Sequence, residues 1–192
     1  RAGLVLTIVI LLALVVGTVL LARYNLAHGR SDLRGASRLA VFVCVLILIG
    51  WAIEASHVPN LWEAALVILG LSYALFAAAA VWLLYVALEP FIRRLWPHTI
   101  ISWSRMLGGR LRDPLIGRDL LVGSMCGALF GVIQRVEFAL RSHFGLDPTP
   151  LLPALDPLLG SRFIASAAIT FLYSAIVNTL GFFVLIFLLR LV

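Results

Sequence analysis

Residues 3–22 contain no charged side chain, and four later stretches, 39–56, 61–88, 120–140 and 163–189, are nearly as apolar. A helix needs about 20 predominantly apolar residues to cross the hydrocarbon core of a bilayer, so each stretch is near or above the required length. Only helices and closed barrels satisfy their backbone hydrogen bonds in lipid. Unbroken runs of this length therefore predict transmembrane helices. Composition excludes the soluble alternative: 62% of the 192 residues are apolar and only 12% are charged, against about 25% charged in soluble domains. The expected fold class is all-α, a polytopic bundle of about five spans.

Orientation follows from arginine. The chain carries +6 through fifteen Arg and no Lys. Arg23, Arg30, Arg34 and Arg38 lie between the first two stretches. Arg93, Arg94, Arg105, Arg110, Arg112 and Arg118 lie between the third and fourth. The intervening turn at His57-Val58-Pro59-Asn60 has none, and residues 142–162 have one. Cytoplasmic loops carry the excess of basic residues. Both rich loops are therefore expected on the cytoplasmic side, with the start of the chain outside and its end inside. Charge that sits beside apolar spans points to anionic lipid headgroups, not to nucleic acid. The expected partners of Arg23, Arg30, Arg34, Arg93, Arg94, Arg105, Arg110, Arg112 and Arg118 are such headgroups or a cytoplasmic domain. The chain starts without Met and runs directly into an apolar stretch, which suggests a segment of a longer polypeptide.

Several smaller features bear on packing. Trp96, Ile100, Ile101, Trp103 and Leu107 fit a short helix lying on the inner interface, with a structured loop as the alternative. The prolines at 148, 150, 153 and 157 forbid a continuous helix there. Gly123, Gly127 and Gly131 recur every four residues and form one flat stripe on a helix. Such stripes let a neighbouring backbone approach closely; helix packing is the ordinary use and a ligand groove the alternative. Gln134, Arg135, Glu137 and Arg141 make a polar cluster at the outer end of the same span, with Glu137 and Arg141 spaced as a helical ion pair. The alternative to a structural role for that cluster is a substrate or signal site. Glu89-Pro90 is expected to end the third span, with Glu89 paired to Arg93. Asn178 fits an interhelical hydrogen bond.

No catalytic chemistry is legible. HExxH, GxSxG and P-loop patterns are absent from the sequence, and none of His28, His57, His98 or His143 is central in a span. Cys44 and Cys126 lie singly in apolar stretches, as small hydrophobes do. No cofactor is expected in this segment.

Three loop strings carry a resemblance. They are Ala22-Arg23-Tyr24-Asn25-Leu26-Ala27-His28-Gly29-Arg30-Ser31-Asp32-Leu33-Arg34-Gly35-Ala36, residues 83–98 around Glu89-Pro90-Phe91-Ile92-Arg93-Arg94, and residues 101–119 around Gly108-Gly109-Arg110-Leu111-Arg112-Asp113-Pro114. Together they resemble the C-terminal multi-pass region of bacterial, acidobacterial-type, receptor-like serine/threonine protein kinases. The resemblance implies a kinase domain elsewhere in the full chain and a bacterial inner-membrane location. It assigns no catalytic residue here, because HRD, DFG and the glycine-rich loop are absent from this sequence. The expected function is a non-catalytic membrane anchor of such a kinase, with a sensory role for the outer polar cluster. The alternatives are an accessory subunit of a photosynthetic or respiratory membrane complex, and a small transporter.

Overall fold

The computed structural model describes residues 2–55, 61–95, 102, 105–106, 108–110, 112–145 and 155–191. Among them, five helices are long and apolar enough to cross a membrane. They are α1 (Ala2–Ala27), α2 (Leu33–Glu54), α3 (Leu61–Leu95), α4 (Pro114–His143) and α5 (Ser161–Leu191). A short 3-10 turn, Asp156–Leu159, precedes α5. The protein is an all-α, multi-pass membrane protein. The expected interfacial helix and most of the proline-rich segment lie outside the described residues.

The helices form two compact units: residues 1–97 with 156–192, and residues 98–155. In the first unit α2 packs against α3 and α5, α1 packs against α3, and α3 also touches α5. The sequence of α2 shows why it is central. Ala36, Leu39, Ala40, Val43, Ile47 and Gly50 are buried, a stripe at spacings of three and four that lies on one face of a helix. Its opposite face is apolar but exposed, as at Val41 and Val45. Phe76 on α3, at 73% exposure, and Leu12 on α1, at 63%, are similarly uncovered. In water such surfaces cost stability; in a bilayer they meet the solvent that suits them.

Two helix lengths differ from the sequence expectation. α3 was expected over residues 61–88 but continues through Pro90 to Leu95, about 52 Å at 1.5 Å per residue. α4 was expected from residue 120 but starts at Pro114. Asp113 caps it there, accepting the Leu115 N–H at 3.0 Å, and Pro114 takes the first helical position, where a missing N–H costs nothing.

The helix ends of the first unit fix its topology. The C-terminal parts of α1 and α3 meet the N-terminus of α2 at the arginine-rich end, where Phe187 of α5 also packs on Phe91 with ring centroids 4.8 Å apart. At the opposite end Ser166, early in α5, donates to Glu54 Oε2 at the end of α2, 2.7 Å away. The chain therefore enters this unit at one end and leaves it at the other. α3 ends and α5 begins at opposite ends of this unit.

The second unit is dominated by α4. Ile116 is its one buried residue among those described.

Candidate functional site

The arginine-rich end of the first unit is built on a helix stop. α1 ends with Gly29 at φ +60. The Arg30 N–H reaches back to the Asn25 carbonyl at 3.1 Å and the Gly29 N–H to that of Leu26 at 3.1 Å. This pair of bonds is the Schellman arrangement, which needs a residue tolerant of positive φ at the glycine position. Two residues later Asp32 caps α2, accepting the Gly35 N–H at 3.0 Å. The turn between the two helices is thus closed by backbone and cap bonds, leaving the Asn25 side chain to reach elsewhere.

It reaches α3. Asn25 is 1% exposed, and its Nδ2 donates to the carbonyls of Val86 at 3.1 Å and Ala87 at 2.9 Å. Both acceptors are carbonyls, so only the NH₂ end of the amide can serve. The Ser31 hydroxyl donates to the same Val86 carbonyl at 3.1 Å. Pro90 explains the need. A proline inside a helix has no N–H to offer the carbonyl four residues earlier and crowds it; here that carbonyl belongs to Val86. Side chains from the end of α1 and from the α1–α2 turn replace the missing donor. This is why α3 passes through Pro90 where the sequence suggested it would stop.

A buried carboxylate sits beside these bonds. Glu89 is 3% exposed. Its Oε1 lies 2.6 Å from Arg93 Nη2, the expected i,i+4 ion pair, and its Oε2 accepts the Asp32 N–H at 3.4 Å. Tyr85, also buried, brings its hydroxyl against α2. A Cβ added at Gly35 would lie 2.8 Å from that oxygen and 2.6 Å from Asp32 Oδ2, so any larger residue there forces one or both side chains to shift.

The other arginines divide by partner. Arg105 pairs with Asp113 at 2.8 Å and Arg118 with Asp119 at 3.0 Å; Asp119 also accepts from the Ser102 hydroxyl. The Asp113 carboxyl is held below its ordinary value of 3.8, first by the Leu115 N–H and then by the Arg105 guanidinium, against the opposing effect of desolvation. Arg23, Arg30, Arg34, Arg94, Arg110 and Arg112 are exposed. Arg30 lies over the Tyr24 ring, 5.8 Å from its centroid.

On α4, Gln134, Arg135, Glu137 and Arg141 are all exposed. Arg141 binds Glu137 through Nη2 at 2.6 Å and Nε at 3.0 Å. Gly123, Gly127 and Gly131 are exposed as well, and among the described residues a Cβ built at any of them meets nothing within 4 Å beyond the helix's own backbone. Among the described residues no three His, Cys, Asp or Glu side chains are grouped to hold a metal ion.

Sequence reasoning singled out Glu89, Arg93 and the arginines of this end, but not Asn25, Ser31, Tyr85 or the Gly35 contact. The available signal was the pairing of a polar residue just beyond a span with a proline inside the next helix but one. Scans against protein-family models, curated proteins and solved structures return no match.

Proposed function

We propose that this chain is the non-catalytic membrane-anchoring domain of a receptor-like serine/threonine protein kinase of the bacterial inner membrane. Its arginine-rich end faces the cytoplasm, among anionic headgroups and near the kinase domain. The observation that supports this reading is the junction itself. Residues 22–36 and 83–95 belong to two of the strings that resemble the kinase family, lie far apart in the chain, and supply its buried bonds. A fixed junction at the end of the spans is what a domain needs if it is to hold a cytoplasmic neighbour in a defined place. The outer polar cluster around Glu137 and Arg141 is the candidate input. The test is the reading frame that encodes Arg1: a kinase domain in the same polypeptide supports the proposal, and a frame without one sinks it.

A second reading is favoured by one observation, the open glycine stripe of α4. Stripes of this kind serve helix association in membranes, which suits an accessory subunit of a larger membrane complex. Copurification after mild detergent extraction separates the two, since a monomer counts against the subunit.

A further inference from the structure

Asn178 lies deep within α5. The nearest charged residues of that helix are Arg162 and Arg190, about 24 and 18 Å away along the axis at 1.5 Å per residue. A long arginine can reach the membrane surface from inside a span, but an asparagine at this depth is too short to do so. The direction of Asn178 is set by the stripe that α5 buries, Ile176, Leu180 and Val184. Asn178 is two positions from both Ile176 and Leu180, which on a helix is the opposite side. It is exposed, as are Phe171, Ala175, Phe182 and Leu185 on the same face.

Other polar groups of these spans find partners inside the chain. Thr18, Ser72 and Thr179 each donate to the carbonyl four residues earlier, and Asn25 donates to α3. Among the described residues no hydrogen bond engages the Asn178 amide. Hydrocarbon offers it none, and an unpaired amide there is costly. Its surroundings leave room for an approaching helix. Ala175 and Gly181 stand three positions to either side, and among the described residues a Cβ built at Gly181 meets nothing within 4 Å beyond the helix's own backbone. Small residues of this kind let two helices in a membrane come close.

We propose that this face of α5 binds the same face of a second copy of the chain, with the two Asn178 amides hydrogen-bonded to each other. An amide carries both donor and acceptor, so it is complementary to itself across a two-fold axis. Two copies inserted with the same topology also hold Asn178 at the same depth, whereas an unrelated helix would need a polar group placed there. The contact goes beyond the anchoring role and rests only on α5 being a membrane span.

The full chain, carrying one fluorophore on a terminal tag, is reconstituted into liposomes over a range of protein-to-lipid ratios, and photobleaching steps count the copies in each spot. The parent is expected to shift from one copy to two as its density rises. Asn178→Leu moves the midpoint about ten-fold to higher density, and Gly181→Leu, which puts a side chain between the helices, moves it similarly. Asn178→Gln keeps an amide and restores most of the association. Gly127→Leu on α4 leaves the midpoint unchanged. A parent that stays single at every ratio overturns the proposal. So does an Asn178→Leu variant that pairs as the parent does, or an Asn178→Gln variant as weak as Asn178→Leu. An equal loss with Gly127→Leu overturns it as well and moves the contact to α4. Circular dichroism checks that each variant keeps its helices.

Discussion

At the arginine-rich end of the first unit, side chains of α1 and the α1–α2 turn bond to α3 across 55 to 62 positions of chain. Along α4 the main side-chain pair, Glu137 with Arg141, spans four positions and stands exposed. The first arrangement ties three helices together and leaves a buried carbonyl without a donor if it fails. The second stabilises only the helix it belongs to, and its charges stay solvated if it fails. Polar residues near membrane spans therefore differ less by type than by whether their partner lies on another helix.

Asn25→Ala is the hardest test of that contrast. It removes two buried hydrogen bonds and leaves the Val86 carbonyl, which Pro90 cannot serve, with Ser31 alone. The expected loss is about 2 kcal/mol, read as a shift in unfolding by denaturing detergent. Pro90→Ala restores an N–H to the Val86 carbonyl. In that background Asn25→Ala is expected to cost clearly less, a coupling that a double-mutant cycle reports. Equal losses in both backgrounds would break the link between Asn25 and the proline. Gly35→Ala comes next, at about 1 kcal/mol. The added methyl meets two side-chain oxygens, which must move, and one of them, Asp32 Oδ2, belongs to the carboxylate whose Oδ1 caps α2. Tyr85→Phe removes one of the two oxygens and is expected to recover part of that loss.

α4 supplies the opposite expectation. Glu137→Gln breaks an exposed ion pair and is expected to cost less than about 0.5 kcal/mol. A Cβ at Gly127 meets none of the described residues within 4 Å, so the effect of Gly127→Leu on the unfolding of the monomer is expected to be as small. A self-association that disappears with Gly127→Leu, seen by cross-linking, would show that the stripe is a contact with a second copy. A large loss of monomer stability in either variant would erase the distinction between the two regions.

What the sequence makes legible follows the range of the interaction. Span positions come from length and apolarity alone, and the pairs Glu89–Arg93 and Glu137–Arg141 from a spacing of four. The start of α4 was also local, since Asp113-Pro114 is an N-terminal helix signal; Arg118 and Asp119 hid it by making the first turns look like loop. The continuation of α3 beyond Pro90 was not local. It depends on Asn25 and Ser31, and nothing in the residues around Pro90 announces donors about sixty positions away. Half of the Gly35 contact was hidden for the same reason: Asp32 Oδ2 is only three residues away, but the Tyr85 hydroxyl comes from another helix.

The smallest expected effect concerns pH at the start of α4. Asp113 is held ionised by the Leu115 N–H and the Arg105 guanidinium, so its folded-state pKa lies below the ordinary 3.8. A carboxyl depressed in this way contributes stability that is fully present above 3.8 and is lost as pH falls through the lower, folded value. The first turn of α4 is therefore expected to lose protection from amide exchange only in that acid window, beginning with Leu115. Asp113→Asn keeps a side chain able to cap but cannot titrate, and it is expected to flatten the pH dependence with little change near neutrality. The Asn25 bonds to α3 do not involve Asp113, so Asp113→Asn is expected to leave protection at that end of the first unit as it is in the parent. A change there in Asp113→Asn would mean that the two regions do not respond separately.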